Sequence, residues 1–186
     1  KKSKFSKCKY IYLHHTPVSL NLIYNSNAFD SFDAVQTIST YQYKEMKEIK
    51  KKKKLRTRPF KSKYLFIEKQ KEKGKQNFAD TDLLIAPSWN SGFYKLNCHI
   101  LLNKFLKGTG ISYQLRPHPM SLVKKEITKE ELSNLNIKID ETDMLHLSKY
   151  KFLITDWSGI FIEFALTFKR KAFLLNTPKK IVNQNY

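Results

Sequence analysis

The chain has 186 residues, of which 41% are hydrophobic and 13% aromatic, so it can bury a core and hold one domain, or one and a half small ones. This composition excludes a wholly disordered chain, and no apolar run approaches the ~20 residues that a transmembrane helix needs. The net charge of +19 is concentrated, because residues 44–75 hold 15 Lys and Arg against 4 Asp and Glu, a net of +11.

The first part of the chain contains two strand candidates and two helix candidates. A β-prone run over 10–13 ends at His14 and His15, and a second strand is predicted over 32–38. A charged helix is predicted from 41 to about 52, a connection over 53–62, and another helix from 64 to about 75.

From residue 82 onward, predicted strands and helices alternate. The strands are placed at 83–86, 111–115, 137–139, 152–154 and 172–175, and the helices near 96–106, 128–135, 144–150 and 160–168. Gly108 and Gly110 end the first of these helices. The alternation predicts an α/β fold with an open, Rossmann-like parallel sheet.

Polar residues follow three of these strands at their carboxyl ends, where ligands of such sheets bind. Ser88 and Trp89 follow the first strand, Arg116 and His118 the second, and the DWSG sequence of residues 156–159 the fourth. Since the carboxyl ends of parallel strands meet at one edge of the sheet, these residues predict one ligand site.

The DWSG sequence lies between a strand and a helix, which places a hydroxyl group and backbone N–H groups at a helix N-terminus. Such a turn predicts an anion site, most often for phosphate, lined by Asp156, Ser158 and Gly159. Glu163, one turn into the helix, could reach a ligand hydroxyl. The alternative is that Asp156 and Ser158 only cap the helix, as their residue types favour, and that Glu163 is an exposed helical acid.

Two histidines are candidate catalytic groups. His118 stands between two prolines and two residues after Arg116, whose planar guanidinium suits phosphate oxygens. A histidine beside phosphate can act as a general base or as a cation that stabilises phosphoryl charge. His15, followed by Thr16 and Pro17, ends the first strand in the same way. A purely structural role is the alternative for both.

The sequence predicts neither a metal site nor a cofactor. Cys8 and Cys98 lie far apart, and neither they nor the five histidines have metal-ligand spacing. Residues 80–82 have the DxD form that some sugar transferases use to hold Mg²⁺ or Mn²⁺. They precede their strand, however, and so belong to the opposite edge of the sheet from the other polar residues.

Four segments together resemble one family. They are YLHHTPVSLNLIYN with the following NAFDSFD, then LLIAPSWN, LRPHPMS, and FLITDWSGIFIEFALTFKRKAFLLNTPKK. They resemble the CDP-glycerol glycerophosphotransferases, which are the teichoic-acid polymerases and their capsule or surface-polysaccharide relatives. The resemblance covers residues 10–186, and RPHP and DWSG, in this order and spacing, contribute most to it.

The resemblance implies a fragment of an enzyme with two Rossmann-like domains of GT-B type that face each other across a cleft. Residues 1–62 would be part of the N-terminal, acceptor-side domain, 63–81 a connection, and 82–186 a truncated nucleotide-binding domain. The family transfers glycerol phosphate from CDP-glycerol to a hydroxyl of a lipid-linked polymer and releases CMP.

The resemblance also assigns roles to single residues. His15 and His118 take the catalytic positions, and Arg116, Asp156 and Ser158 take the positions of nucleotide or pyrophosphate contacts. Trp157 and Gly159 depart from the Asp-Tyr-Ser-Ser of many polymerases, which leaves the identity of the donor open.

Two other functions remain alternatives at this point. A GT-B glycosyltransferase that uses a nucleotide sugar would have the same fold and the same phosphate site. A nucleic-acid-binding protein would explain the basic block at 44–75 but not RPHP and DWSG, so no specific nucleic acid is expected. We expect this block to dock a peripheral enzyme on the anionic cytoplasmic face of the plasma membrane, the alternative being a solvated surface or linker.

Overall fold

The computed structural model describes residues 7–74, 81–142, 144–179, 181 and 183, and these confirm the predicted α/β architecture with parallel sheets. The described residues up to 66, with 181 and 183, form a first compact unit, and residues 67–179 form a second. The boundary between the units falls inside the predicted connection 63–81, at α3 (Leu65–Gly74). The predicted domain limits themselves stay a prediction.

The first unit is built on a three-stranded parallel sheet in the order β1 (Ile11–Tyr12), β2 (Ala34–Thr37), β3 (Arg58–Lys61). Two helices, α1 (Leu20–Ile23) and α2 (Thr40–Lys53), connect these strands along the chain. The Ser39 hydroxyl accepts a hydrogen bond from the N–H of Gln42 and caps α2, as serine commonly does. The buried core consists of Leu20, Phe29, Val35 and Met46.

The prediction that 53–62 is only a connection is wrong, because β3 lies inside it. Pro59 argues against a strand at the level of the sequence, because proline has no N–H group to donate to a sheet. β3 is an edge strand that pairs only with β2 among the described strands, and an edge position tolerates a proline.

The second unit contains a four-stranded parallel sheet in the order β5 (Tyr113–Leu115), β4 (Thr81–Ile85), β6 (Tyr150–Thr155), β7 (Ala172–Leu174). The predicted strand at 137–139 is reduced to one parallel bridge between Ile139 and Leu115 of β5. Leu83 and Ile85 of β4 pack into one buried cluster and Leu84 into another, as the two-residue period of a strand requires.

The helices of the second unit are α4 (Cys98–Leu106), α5 (Pro119–Val123), α6 (Lys129–Asn134) and α7 (Ile160–Phe168), with a 3₁₀ helix over Met144–Lys149. The capping box between Thr128 and Glu131 starts α6. No helix in the described part of the chain is long and apolar enough to cross a lipid bilayer.

Candidate functional site

The order of the strands in the second unit marks one place on its sheet. β4 and β6 are neighbours, yet from β4 the chain continues to β5 on one side, and from β6 it continues to β7 on the other. Ligands of open α/β sheets bind beyond the carboxyl ends of the strands at such a switch point. Ser88 follows β4 and Asp156 follows β6, so two of the predicted residues lie there.

Three hydrogen bonds join the segment after β4 to the end of β6 and to Asp156, the residue that follows it. The N–H of Ala86 donates to the carbonyl of Ile154 at 2.9 Å, and the Thr155 hydroxyl donates to the carbonyl of Ala86 at 2.6 Å. One step further, the N–H of Ser88 donates to Asp156 Oδ1 at 2.8 Å. The structure therefore brings Ser88 and Asp156 together and holds both segments in fixed positions.

The capping alternative for Asp156 and Ser158 is wrong. The residue before α7 is Gly159, and no side chain caps this helix. The Asp156 carboxylate instead binds the backbone of Ser88, while the N–H of Ser158 donates to the Asp156 carbonyl at 2.7 Å. Ser158 is half-buried at the N-terminus of α7, in the position that was predicted to bind an anion.

Three buried polar atoms near the switch point have no hydrogen-bond partner among the described residues: Ser88 Oγ, Tyr94 Oη and Asp156 Oδ2. Asp156 binds Ser88 directly, and burial, followed by the charges of Glu126 and Asp156, raises the pKa of Tyr94. An unmade hydrogen bond of a buried group costs about 1–3 kcal/mol, so these atoms favour a bound polar molecule or water. Tyr94 was missed because nothing in its sequence neighbourhood distinguishes it from a core tyrosine.

The contacts of His118 decide which of its ring nitrogens carries hydrogen. Nδ1 accepts a hydrogen bond from the N–H of Met120 at 3.1 Å and caps α5. In the neutral ring the hydrogen must then reside on Nε2, which can donate to an anion but cannot accept a proton. The ring of Trp89 lies 6.4 Å from that of His118, centroid to centroid, so the structure brings these two predicted residues together as well.

Arg116 forms an ion pair with the buried carboxylate of Asp140. Its Nε donates to Asp140 Oδ2 at 2.9 Å, and Nη2 binds the same oxygen. Burial raises the pKa of Asp140, but hydrogen bonds from Thr142 and the Arg116 charge hold it well below its usual range. The direct phosphate contact predicted for Arg116 therefore competes with a pairing that already neutralises its charge.

The side chain of Trp157, within the DWSG turn, contacts two residues near the C-terminus. The indole N–H of Trp157 donates to the Thr177 carbonyl at 2.7 Å, and the Lys179 ammonium lies 5.4 Å from the centre of the same indole. Lys179 is thus a cation beside Trp157 that was not selected from the sequence. Glu163 is buried in the first turn of α7, so the expectation of an exposed acid is wrong, and its predicted contact with a ligand stays a prediction.

The first unit places its two adjacent histidines differently. His15 is exposed, and within the described part of the chain no hydrogen bond orients its ring. His14 is buried, with Nδ1 3.3 Å from the Tyr24 hydroxyl and with Nε2 lacking a partner among the described residues. Burial, followed by the charge of His15, lowers the pKa of His14 to about 4, so its ring is neutral at pH 7.

The acidic pair of the DxD sequence adds nothing to this site. Asp80 lies outside the described residues, and Asp82 binds the N–H and hydroxyl of Ser112 and the ammonium of Lys151 at the other end of the sheet. Among the residues that the structure describes, no three His, Cys, Asp or Glu side chains form a group that could hold a metal ion.

Comparisons with known proteins give a fold likeness only. No family model and no curated protein matches the sequence. The chain is similar to the wall teichoic acid polymerase TagF, with a TM-score of 0.58 and 17% identity over 94% of this chain and 50% of the TagF chain.

Two variants of TagF give the same result. A histidine-to-asparagine variant after a 15-minute soak with CDPG matches with a TM-score of 0.58 and 15% identity, over 94% of this chain and 51% of that chain. A histidine-to-alanine variant matches with a TM-score of 0.57 and 13% identity, over 95% and 51%. This chain therefore shares the TagF fold and spans about half the length of these TagF chains.

Proposed function

We propose that this chain is part of a cell-wall polymer transferase that moves glycerol phosphate from CDP-glycerol to a hydroxyl group of the polymer. The observation that carries the proposal is the fold shared with TagF over 94% of the chain. The CDPG soak of a TagF variant supports a cytidine nucleotide as the donor. The polar residues at the switch point of the second unit supply side chains of the kind that such a donor needs.

The donor nucleotide would occupy the edge of the second unit beyond β4 and β6. The N-terminus of α7 with the Ser158 hydroxyl and the Nε2–H group of His118 would donate hydrogen bonds to its phosphate oxygens. Asp156 repels phosphate, so its role is different: it holds the Ser88 backbone and can accept a hydrogen bond from a sugar hydroxyl. Trp89, Gly159 and Glu163 stay predicted contacts of the nucleotide.

The chemistry joins an acceptor hydroxyl oxygen to the phosphorus that carries the glycerol. The bond from this phosphorus to the bridging pyrophosphate oxygen breaks, and its electron pair leaves with CMP. Fixed donors at α7 and His118 would stabilise the charge on the departing CMP without reorganisation. Since the Nδ1 lone pair of neutral His118 already accepts a hydrogen bond, His118 would hold phosphate, and His15 stays the predicted base.

We also propose that the C-terminal lysines of α2 bring the enzyme to an anionic membrane surface. Lys51, Lys52 and Lys54 are exposed, whereas the Lys53 ammonium is paired with Asp30 and the Ser26 carbonyl. Each Lys near an anionic bilayer contributes about 1 kcal/mol of attraction. A lipid-linked acceptor on the cytoplasmic face would explain why this attraction is useful.

Isothermal titration of the full chain with CMP, CDP-glycerol and UDP-glucose tests the donor. We expect CMP and CDP-glycerol to bind and UDP-glucose to bind more weakly. Ser158→Ala should weaken the binding of CMP, whereas Ser112→Ala, at the opposite end of the sheet, should not. Tighter binding of UDP-glucose, or no binding of either cytidine nucleotide, would reject the donor assignment.

The mass of the product separates this reaction from a glycosyl transfer. With a polymer acceptor, each glycerol-phosphate transfer adds one phosphorus atom to the product, and a sugar transfer adds none. Products that grow without phosphorus would replace the proposed function by that of a nucleotide-sugar glycosyltransferase.

A further inference from the structure

Residues 175–179 of the second unit run from the end of β7 along the DWSG turn. The N–H of Leu175 donates to the Thr155 carbonyl at 2.7 Å, which continues the pairing of β7 with β6. The indole N–H of Trp157 donates to the Thr177 carbonyl at 2.7 Å, which attaches the segment to the turn itself. These two bonds fix the path of the chain up to Thr177.

Pro178 attaches the same segment to the loop that follows β4. Gly92 in this loop has a φ of +79°, and a Cβ atom at this position would lie 3.5 Å from Pro178 Cδ. Since β6 lies between β4 and β7, the segment crosses the carboxyl end of β6 on its way to this loop. Pro178 also has a fixed φ, so the backbone that leads to Lys179 is stiff.

The buried side of this segment adds a polar atom to the carboxyl edge of the sheet. Thr177 is 4% exposed, and its hydroxyl oxygen has no hydrogen-bond partner among the described residues. The same is true of Ser88 Oγ, after β4, and of Asp156 Oδ2, after β6. Buried polar groups are normally hydrogen-bonded, so these three atoms, each after a different strand, indicate that a polar molecule or water binds at this edge.

The Lys179 side chain can reach a ligand without losing a strong contact of its own. It is exposed, and its ammonium lies 5.4 Å from the centre of the Trp157 indole. A cation–π contact at an exposed site is weaker than a charge-assisted hydrogen bond to phosphate. Because the four-carbon stem of lysine is flexible, the ammonium can exchange the indole for a phosphate oxygen.

The charges at this edge create a need for such a cation. Two carboxylates adjoin it, that of Asp156 after β6 and that of Glu126, which binds the loop after β4. The positive charge of Arg116 is already paired with Asp140. A phosphate bound here would therefore need a further positive charge, and Lys179 supplies one beside the DWSG turn.

We propose that Lys179 binds the phosphate groups of the donor nucleotide, and that Trp157 is the positioning residue that keeps the ammonium at the DWSG turn. This proposal rests on the proposed function, because it names a further contact of the same nucleotide site. When the bond between phosphorus and the bridging oxygen breaks, the electron pair leaves with CMP, and the Lys179 ammonium stabilises the negative charge that develops there. Lys179 keeps its proton throughout and forms no covalent bond.

Titration of the full chain with cytidine, CMP and CDP tests the contact, with calorimetry for the two nucleotides and NMR for cytidine. Lys179→Gln should weaken the binding of CMP and of CDP by about tenfold each and leave cytidine unchanged, since cytidine has no phosphate. Added salt should reduce the difference between wild type and variant, because it screens an exposed charge. Lys171→Gln is the matched control, since this exposed lysine precedes β7 at the other end of the strand.

A double-mutant cycle tests the role of Trp157. Trp157→Leu should weaken the binding of CMP in the wild-type chain and have little further effect in the Lys179→Gln variant, because the ammonium that it positions is then absent. A structural role of Trp157 alone would give the same loss in both backgrounds and would overturn the positioning role.

The outcomes for Lys179 separate this proposal from the proposed function. Unchanged affinities for CMP and CDP in Lys179→Gln, an equal loss in Lys171→Gln, or an equal loss for cytidine would each overturn the phosphate contact. If the predicted losses occur but the wild-type chain transfers no glycerol phosphate, the proposed function fails and the phosphate contact stands. If the wild-type chain binds no nucleotide, both fail.

Discussion

Replacement of Arg116 by methionine tests whether Arg116 binds the phosphate of the donor or acts as a structural clamp, that is, stabilises the fold through its ion pair with Asp140. The Asp140 side chain is fully buried and the Arg116 side chain is 11% exposed, so the pair is almost entirely shielded from water. The Arg116 contacts with Asp140 described above both go to Oδ2, whereas Oδ1 is bound by the N–H and hydroxyl of Thr142 and by the Lys149 ammonium. Arg116→Met removes both contacts to Oδ2 and leaves those to Oδ1 in place.

The loss of unfolding free energy in Arg116→Met follows from the burial of the Asp140 carboxylate. Removing one partner of a buried ion pair destabilises a protein by about 3–5 kcal/mol, because the remaining charge is left uncompensated. Since Lys149 still supplies a positive charge, we expect the lower end, about 3 kcal/mol of unfolding free energy. In an Asp140→Asn background no charge is left behind, and the same substitution should cost only about 1 kcal/mol.

Urea unfolding followed by tryptophan fluorescence measures the free energy of unfolding of the second unit. Trp89 and Trp157 are the two tryptophans of the sequence, and both lie in the second unit together with Arg116. CMP titration of the folded variants completes the test. An unchanged unfolding midpoint combined with lost CMP binding would refute the clamp and restore the direct phosphate contact.

Three further predictions follow from the described contacts. Asp156→Asn keeps an oxygen that can accept from the Ser88 N–H but removes the charge that repels phosphate, so CMP should bind at least as tightly in calorimetry; weaker binding would contradict this. Lowering the pH from 6.5 toward 4 should destabilise the first unit, since unfolded His14 takes a proton near pH 6.5 and folded His14 only at about 4. Hydrogen exchange in β2 measures this loss of stability, which His14→Gln should reduce. Replacing Lys51, Lys52 and Lys54 by Gln should abolish sedimentation with anionic vesicles at moderate salt, whereas Gln at Lys124, Lys125 and Lys138 should not. Equal losses in the two variants would mean that membrane binding depends on the total charge and not on the lysines of α2.

The sequence predicted the second unit better than the first. Three of its strands, β4, β6 and β7, contain runs of three apolar residues, and buried parallel strands have this pattern. β3 escaped because Pro59 contradicts the usual signal of a strand, and α1 and α5 escaped because helices of four and five residues are too short to show a period.

For the site, position along the chain was informative and orientation was not. Residues after β4, β5 and β6 can be selected from the order of elements, because strand ends meet at one edge of the sheet. Nothing in the sequence shows that Arg116 faces Asp140, or that His14 is buried while His15 is exposed. Such differences depend on contacts between residues 10 and 24 positions apart.

The bond between Ser88 and Asp156 has a consequence for folding, because it joins residues 68 positions apart. At about 5–20 residues per second, a ribosome needs roughly 4–14 seconds to extend the chain from β4 to β6. During this interval one edge of the apolar strand β4 has no partner in the nascent second unit, since β5 covers only the other. The switch point that makes β4 and β6 a ligand site therefore also makes β4 the segment at which the newly made chain is most exposed to aggregation.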